Sequence, residues 1–329
     1  MKNILITGIT GFAGPHLAEY LIAHDPGQEL NLYGLVRASN GREQDIRDAL
    51  PDYVVDRLTM LYGDLSDWRS LERIFLKIGF DEIYHLAAQS HPPTSFKDPT
   101  GTFRTNTMGT IGLLTMIERY CPKCRMLNCS TSEVYGDVPE NEQPITEDHP
   151  IAPVNPYGVS KAAADLYATE RARSAGLNVF NTRAFSHTGV RRGFKFSISG
   201  DAYQLIRIKK GLQEPVVQVG TLSSKRVVMD VRDCVRAYTM LMGKAEAGES
   251  YNVGGDTCDT IGGYLDRMIA ITGLDVATEV NPAFVRPIDI PVQIPDSNKC
   301  RELTGWKPLI PMEKTLEDLL DYWDRKIEV

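Results

Sequence analysis

Tyr157 and Lys161 stand four positions apart in Tyr-Gly-Val-Ser-Lys, which opens a predicted helix just after Asn155-Pro156. Residues at this spacing share one face of a helix, so the phenol and the ammonium should lie together. A phenol with a pKa of roughly 10 is a poor base at neutral pH. An adjacent ammonium and a positively charged cofactor ring would both favour the phenolate, which suits Tyr157 to general acid–base chemistry.

A hydroxyl and a carboxylate lie at the carboxyl end of the fifth predicted strand, in Ser130-Thr131-Ser132-Glu133. The carboxyl edge of an open α/β sheet is where ligands bind. In an extended chain Thr131 and Glu133 share a face, so we expect both to point into the same cleft. An exposed carboxylate at a strand end is the alternative interpretation.

Three glycines, Gly8, Gly11 and Gly14, separate the first predicted strand from the first predicted helix. Glycine in such a loop lets the backbone turn tightly, approach a pyrophosphate and bring the helix close to the sheet. The helix N-terminus then offers free N–H groups and partial positive charge to the phosphates. This strand–loop–helix context predicts a dinucleotide site.

The end of the second predicted strand bears on which dinucleotide binds. An acidic side chain there would accept hydrogen bonds from the adenosine ribose, but residues 35–40 read Leu-Val-Arg-Ala-Ser-Asn, with Arg37 and no acid. This arrangement suits a 2′-phosphate and predicts NADP rather than NAD. A solvent-facing arginine is the alternative. Asp64, at the end of the third predicted strand, is where we expect a contact with adenine.

The elements that must position these residues alternate between strand and helix in the first half of the chain. The predicted strands are Asn3–Thr7, Leu30–Val36, Leu58–Leu65, Glu82–Ala88, Arg125–Thr131 and Leu177–Phe185. The predicted helices include Pro15–His24, Asp67–Gly79, Phe103–Tyr120 and Tyr157–Ala175. The last of these should end at Gly176, because glycine is favoured just after a helix. Such alternation predicts an α/β fold with a doubly wound, parallel Rossmann sheet.

A smaller C-terminal α/β lobe is expected, because the pattern changes after about residue 186. We assign residues 1–185 and about 226–256 to the dinucleotide domain, and residues 186–225 and 257–329 to a substrate-binding lobe. One acid, Asp201, and six basic residues occur between positions 191 and 210: Arg191, Arg192, Lys195, Arg207, Lys209 and Lys210. This local excess of positive charge suits an anionic substrate, and a solvated surface is the alternative.

Composition excludes several other classes of protein. The 329 residues are 42% hydrophobic and 24% charged, which is typical of a globular protein rather than a disordered or coiled-coil one. A net charge of −7 argues against nucleic-acid binding. The apolar run at Met1–Gly8 is too short for a signal peptide, and no run reaches the roughly 18 apolar residues of a membrane span. We therefore expect a cytoplasmic protein with no membrane or nucleic-acid partner.

Six cysteines in a chain of this length do not make a disulfide framework. Cys121 and Cys124 form a C-x-x-C pair with Cys129 nearby, but a structural zinc site normally needs four ligands and no second pair completes this one. We expect reduced thiols and no metal, with a zinc site as the alternative.

Taken together, these motifs resemble the extended short-chain dehydrogenase/reductase family, whose members act on nucleotide sugars. The resemblance covers essentially the whole chain and rests on Gly8/Gly11/Gly14, Asp64, His85-Leu86-Ala87-Ala88, Ser130-Thr131-Ser132-Glu133 and Tyr157/Lys161. Within the family, the stretches 6–11, 87–91, 130–133 and 191–193 are similar to GDP-mannose 4,6-dehydratases. The stretches 231–233 and 305–308 are at least as similar to GDP-4-keto-6-deoxymannose reductases.

The resemblance implies an NADP cofactor, a GDP-sugar substrate and a role for each site residue. Tyr157 would take the proton of the sugar C4 hydroxyl and Glu133 the C5 proton. Thr131 would bind the C4 oxygen and Lys161 the nicotinamide ribose. The positions implied to contact NADP are Gly8, Gly11, Phe12, Gly14, Arg37, Asp64, Leu65, Leu86, Ala87, Ala88, Tyr157 and Lys161.

The positions implied to contact the substrate are Ser90, Ser132, Ser186, Arg192, Lys195, Arg226 and Arg286, of which the four basic residues would meet the diphosphate. The chain departs from the family pattern at two positions in this region. Ser186 stands where the family usually carries Asn, and Val227 stands where an acid is usual.

Several activities remain open at this point. Thr131 and Glu133 favour the redox-neutral 4,6-dehydration of GDP-mannose, a lyase reaction, because a 4-epimerase needs no base at C5. An NADPH-consuming GDP-4-keto-6-deoxyhexose reductase is the main alternative, and a UDP-glucuronate decarboxylase is a weaker one. A non-catalytic NADP-binding protein on the same fold is a further alternative. Helices 103–120 and 157–175 resemble those of a four-helix dimer interface in the family, which implies a homodimer or homotetramer.

Overall fold

The computed structural model describes residues 1–37, 46 and 50–328. In the first half the strands are β1 (Lys2–Thr7), β2 (Leu30–Val36), β3 (Leu58–Tyr62), β4 (Glu82–His85), β5 (Arg125–Cys129) and β6 (Asn178–Ala184). The helices are α1 (Ala13–Ala23), α2 (Asp52–Val55), α3 (Trp68–Phe75), α4 (Pro92–Lys97), α5 (Pro99–Phe103), α6 (Gly109–Tyr120) and α7 (Pro156–Ala175). A π-helical segment, Arg104–Met108, joins α5 to α6.

The second half adds shorter strands and further helices. Its strands are β7 (His187–Thr188), β8 (Val216–Val219), β9 (Lys225–Asp230), β10 (Ser250–Val253), β11 (Thr257–Thr260), β12 (Ala277–Val280) and β13 (Val292–Gln293). Its helices are α8 (Ser197–Lys209), α9 (Val231–Lys244), α10 (Ile261–Thr272), α11 (Asn298–Thr304) and α12 (Met312–Lys326). Short 3₁₀ turns occur at Ser132–Val134, Glu140–Glu142 and Pro282–Phe284.

Seven parallel strands form the central sheet, in the order β10-β6-β5-β4-β1-β2-β3. The order reverses at β1, which pairs with β2 on one side and β4 on the other. In open sheets of this kind, ligands bind beyond the carboxyl ends of the strands at the reversal. The prediction of a doubly wound parallel Rossmann sheet is confirmed.

Local sequence explains where the elements that carry the site begin and end. The buried run Ile4, Leu5 and Ile6 in β1 is apolar on both faces, as expected of a strand covered by helices on both sides. Asn155 caps the start of α7 by accepting a hydrogen bond from the Gly158 N–H, at 2.8 Å. Gly176 ends α7 with a φ of +68°, a conformation that glycine adopts without steric cost.

A second apolar core lies among the C-terminal elements. It is formed by buried side chains of α8, β8, α10 and α12, including Leu205, Val217, Leu265 and Leu316. Strand β10 and helix α9 instead share a core with β1 and α1. The division into two lobes at residues 185/186, 225/226 and 256/257 stays a prediction. Within the described ranges, none of the helices combines the length and the apolar character needed to cross a membrane.

Candidate active site

A cleft of about 880 Å³ runs along the carboxyl ends of the central strands. Residues directly after β1 to β6 line it, as do residues of α8 and of the segment 283–293. The residues proposed from the sequence for catalysis, cofactor binding and substrate binding all line this cleft. The structure thus brings them together, and the role of each residue stays a prediction.

The glycine loop between β1 and α1 fits a tightly approaching dinucleotide. Gly8 has a φ of +77°, and a Cβ there would lie 2.7 Å from the Ala87 nitrogen. A Cβ on Gly14 would lie 2.5 Å from the Gly8 carbonyl oxygen. Among the residues that the structure describes, no side chain caps the N-terminus of α1 at Phe12. Its first N–H groups therefore face the loop and suit an anionic pyrophosphate.

The adenosine end of the cleft is formed after β2 and β3. Arg37, the residue directly after β2, lines the cleft together with Asp64 and Leu65. The Asp64 carboxylate accepts hydrogen bonds from the backbone N–H and the hydroxyl of Ser66, both at 2.8 Å. These bonds fix the carboxylate at the rim of the cleft. The remaining residues of the motif that predicted NADP, 38–40, lie outside the described residues.

Tyr157 and Lys161 lie on the buried face of the first turns of α7, with relative exposures of 8% and 2%. Burial raises the pKa of Tyr157 above its ordinary value, while a hydrogen bond with Thr131 and the charge of Arg192 lower it. On balance the pKa of Tyr157 is raised in this structure, and the lowering expected from Lys161 together with a bound cofactor ring stays a prediction. Burial lowers the pKa of Lys161, and the charge of Asp165, one turn further along α7, opposes this effect.

The expectation that the chain is extended through Glu133 is wrong, although Thr131 and Glu133 both line the cleft. Strand β5 ends at Cys129, and the chain then forms a 3₁₀ turn over Ser132–Val134. The Thr131 hydroxyl caps this turn by accepting a hydrogen bond from the Glu133 N–H, at 3.3 Å. A threonine side chain that bonds to nearby backbone competes with continuation of a strand. The turn still leaves Thr131 and Glu133 on the wall of the cleft.

Both oxygens of the Glu133 carboxylate have partners. Asn155 Nδ2 donates a hydrogen bond to Oε2 at 2.7 Å, and Nη1 of Arg286 lies 3.6 Å from Oε1. The carboxylate is 15% exposed, so it remains accessible from the cleft. Arg286, which the sequence assigns to the substrate diphosphate, thus lies beside the candidate base.

Arg192 contacts two aromatic rings. Its guanidinium carbon is 3.5 Å from the centroid of the Phe196 ring and 4.7 Å from that of Phe12. Burial lowers the pKa of Arg192 to about 10, and the charge of Tyr157 opposes this effect. Cation–π contacts with the two rings hold the guanidinium in place. Arg192 is therefore a fixed positive charge near the candidate catalytic phenol.

The other proposed substrate residues differ in how many contacts they already make. Arg226 donates to the backbone oxygens of Ile290 and Lys225, at 2.6 and 2.8 Å. Much of its hydrogen-bonding capacity therefore holds the segment after residue 289 in place. Ser132 contacts Gln293 through a 3.3 Å hydrogen bond. The remaining three, Ser90, Ser186 and Lys195, line the cleft.

Two polar residues that the sequence analysis missed connect α7 to the neighbouring helix. Asn106, in the π-helical segment, donates to the Ser160 hydroxyl at 2.9 Å and to the Gln89 carbonyl oxygen at 3.0 Å. Ser160 in turn donates to the Tyr157 carbonyl oxygen at 2.7 Å. The run Thr105-Asn106-Thr107, poor helix formers inside a predicted helix, was the available signal.

Comparison with known proteins shows where the chain belongs. The family model described as GDP-mannose 4,6 dehydratase matches residues 5–319. The chain is 30% identical to a GDP-6-deoxy-D-mannose reductase of Pseudomonas aeruginosa, over 99% of this chain and 98% of that protein. It is 32% identical to GDP-mannose 4,6 dehydratase 1 of Arabidopsis thaliana, over 97% of this chain and 89% of that protein.

Solved structures show the same fold. The RMD of Pseudomonas aeruginosa complexed with NADPH has a TM-score of 0.84 and 28% identity, covering 99% of this chain and 100% of that one. A UDP-glucose 4-epimerase of Thermotoga maritima with UDP-glucose has a TM-score of 0.87 and 26% identity, with 99% and 100% coverage. The resemblance to extended short-chain dehydrogenases/reductases is thereby confirmed. The matched sequence and the shared fold show that this chain belongs to the GDP-mannose 4,6 dehydratase family.

Proposed function

We propose that this protein catalyses the NADP-dependent, redox-neutral dehydration of a GDP-hexose, converting GDP-mannose into GDP-4-keto-6-deoxymannose and water. The observation that carries the proposal is that Thr131, Glu133 and Tyr157 line the same cleft and that burial and the charge of Glu133 raise the pKa of the Tyr157 phenol. The Thr131 hydroxyl accepts a hydrogen bond from the Glu133 backbone N–H at 3.3 Å, and a hydrogen bond with Thr131 lowers the pKa of Tyr157. A carboxylate and a phenol on the wall of one cleft can move protons on neighbouring carbons of one sugar ring.

NADP is the cofactor that fits this cleft. The related RMD of Pseudomonas aeruginosa is complexed with NADPH. In this chain the close backbone approach at Gly8 and Gly14 admits a pyrophosphate, and Arg37 lines the end of the cleft that would receive a 2′-phosphate. When bound, the dinucleotide would accept a hydride from sugar C4 and return it at C6.

The protons would be moved by residues of this chain. Tyr157 would take the proton of the C4 hydroxyl, while Thr131 hydrogen-bonds to the C4 oxygen. The resulting ketone makes the C5 proton acidic, so that Glu133 can remove it and pass a proton to the C6 hydroxyl, which leaves as water. The proton held by Tyr157 would return to C5 as C6 gains the hydride. Atoms and charge then balance with no net reduction.

The diphosphate would lie among the positive charges of the cleft. Arg192 is held by Phe12 and Phe196, and Arg286 lies near Glu133. Planar guanidinium groups match paired phosphate oxygens. Lys195 is exposed on the same wall and would add a further charge to the mouth of the cleft.

A reductase of a GDP-4-keto-6-deoxyhexose is the second candidate. It is favoured by the 30% identity to the GDP-6-deoxy-D-mannose reductase of Pseudomonas aeruginosa, which extends over 98% of that protein. A reductase would use the same phenol to donate a proton to the ketone oxygen, but it would have no step at C5 or C6.

Nicotinamide absorbance during incubation with GDP-mannose separates the two activities. The dehydratase should form product with no net change in NADPH, whereas a reductase should consume NADPH in stoichiometric amounts with a 4-keto substrate. Glu133→Gln should abolish exchange of the C5 proton with deuterated water while NADP binding persists. Unchanged exchange in this variant would remove Glu133 from the mechanism.

We also propose a homodimer formed through α6 and α7. Val159 and Leu166 on α7 are 40% and 54% exposed, and Met108, directly before α6, is 44% exposed. These apolar side chains suit a helical interface between two copies. Sedimentation analysis should show a dimer or a tetramer made of two dimers, and Leu166→Glu should shift the protein toward monomer. A wild-type monomer at micromolar concentration would contradict this assembly.

A further inference from the structure

We propose that Asn155 is a positioning residue that holds the Glu133 carboxylate in a fixed orientation relative to α7, the helix that carries Tyr157 and Lys161. The inference rests on the proposed function, in which Glu133 acts as the base at C5. Asn155 is not part of the Tyr-x-x-x-Lys pair. Among the described residues, its side chain forms hydrogen bonds with Glu133 and Gly158 and not with the Tyr157 phenol or the Lys161 ammonium.

The side-chain amide of Asn155 makes two hydrogen bonds in opposite directions. Its Oδ1 accepts from the Gly158 N–H at 2.8 Å, and its Nδ2 donates to Oε2 of Glu133 at 2.7 Å. The residue is only 6% exposed. Among helix-capping side chains, an amide has a separate donor and acceptor, whereas a carboxylate offers acceptors alone. Asn155 therefore satisfies the helix end and the carboxylate at once.

Backbone packing fixes the distance that this amide bridges. A Cβ on Gly158 would lie 2.8 Å from the Glu133 carbonyl oxygen and 2.9 Å from Cβ of Pro153. The first turn of α7 thus packs directly against the turn that carries Glu133, with space only for glycine. Because the two backbones are in contact, the orientation of the Glu133 carboxylate relative to α7 depends on the side chain that joins them.

The arrangement also distinguishes the two carboxylate oxygens. Oε2 is engaged by Asn155, so the C5 proton would be taken at Oε1, whose neighbour is Arg286 at 3.6 Å. Among the described residues, Arg226 and Tyr157 also interact electrostatically with Glu133. Of these partners, only Asn155 is an uncharged donor within 3 Å, so it can orient the carboxylate without itself titrating.

Two substitutions separate positioning of Glu133 from capping of the helix. Asn155→Ser keeps a good helix cap but is too short to reach Glu133. Asn155→Asp keeps the cap and the shape but replaces the donor with a second carboxylate beside Oε2. Two carboxylates at hydrogen-bond distance hold a proton between them at a pH where either alone would have lost it. Because both variants keep the cap of α7, both should fold and bind NADP as the wild type does.

The measurement is the pH profile of C5 proton exchange into deuterated water, with NADP bound and GDP-mannose present. We expect Asn155→Ser to lower the exchange rate about tenfold, the loss typical of one hydrogen bond to a charged group. We expect Asn155→Asp to shift the acid limb of the pH profile to higher pH, by about one unit or more. Melting temperature and NADP affinity serve as controls in both variants.

Each outcome bears on the inference. If Asn155→Ser exchanges at the wild-type rate, or if the acid limb of Asn155→Asp does not move, Asn155 is only a helix cap and the inference is wrong. The same conclusion follows if both variants lose activity only in proportion to lost NADP binding or folded protein. Absence of exchange in the wild type would contradict the proposed function instead, so the two failures are distinguishable.

Discussion

Nη1 of Arg286 lies 3.6 Å from Oε1 of Glu133, so a residue assigned to the diphosphate neighbours the candidate base. The guanidinium is 33% exposed and the carboxylate 15%, which limits the strength of the pair through solvent screening. A guanidinium carries five N–H donors. Arg286 can therefore bind a phosphate oxygen on one side while it remains beside Glu133 on the other.

Arg286→Gln should weaken substrate binding more than it slows the chemical step. Loss of a guanidinium–phosphate contact should raise KM for GDP-mannose about tenfold or more, with a smaller effect on kcat. Arg286→Lys keeps the charge but loses the paired donors, so its KM for GDP-mannose should lie between those of the wild type and Arg286→Gln. Steady-state kinetics measures this split. A large loss of kcat at unchanged KM would show that Arg286 acts on Glu133 rather than on the diphosphate.

Arg37 should set the preference for NADP. We expect NADP(H) to bind at least about tenfold more tightly than NAD(H), because the guanidinium pairs with a 2′-phosphate. Arg37→Ala should remove this difference, and Arg173→Ala, an exposed arginine in the last turn of α7, should leave it unchanged. Fluorescence titration of both dinucleotides gives the affinities. Equal affinities in the wild type would reject the role of Arg37.

Gly14→Ala should damage the dinucleotide loop. The new methyl group would lie 2.5 Å from the Gly8 carbonyl oxygen, which forces the backbone of the loop to move. We expect a melting temperature several degrees lower and little NADP binding. Gly243→Ala in α9 is the matched control, since a Cβ there meets nothing within 4 Å. That variant should gain about 0.5 kcal/mol from helix propensity and bind NADP normally. Equal NADP affinity in both variants would contradict the assignment of the loop.

Asp201 should make stability depend on pH. Burial raises the pKa of Asp201 to about 7, from an ordinary value of 3.8. Between these values the folded chain retains a proton that the unfolded chain has released, so stability falls as pH rises and the cost is complete above pH 7. Asp201→Asn should therefore raise the melting temperature at pH 8, and at pH 5 the gain should shrink to less than about half. Equal gains at both pH values would contradict a buried, titrating carboxyl.

Sequence reasoning predicts the scaffold well where local signals are strong. Strand β2 has the predicted bounds, Leu30–Val36, because its apolar run ends abruptly at Arg37. Helix α7 ends where Gly176 adopts a left-handed conformation. Boundaries shift where tertiary contacts decide them. The predicted strand to Thr131 stops at Cys129, since the Thr131 hydroxyl caps the following turn.

The contacts between distant segments of the chain could not be predicted from the sequence. Asn155 and Glu133 are 22 positions apart, and nothing in either local pattern indicates a hydrogen bond between them. The Arg226 side chain donates to the backbone carbonyl oxygens of Ile290 and Pro291, which lie more than 60 positions away in sequence and approach Arg226 only in the folded chain. Side-chain partners of this kind depend on how separate elements pack, whereas glycine loops and helix ends depend on neighbouring residues.

The most direct measurement follows the C4 hydrogen of GDP-mannose. Enzyme loaded with NADP is incubated with GDP-mannose deuterated at C4, and the product is analysed by mass spectrometry and NMR. Internal return of the hydride predicts GDP-4-keto-6-deoxymannose with deuterium in its C6 methyl group and an unchanged amount of NADPH. Product without deuterium at C6, or no product unless NADPH is consumed on a 4-keto sugar, would contradict the account.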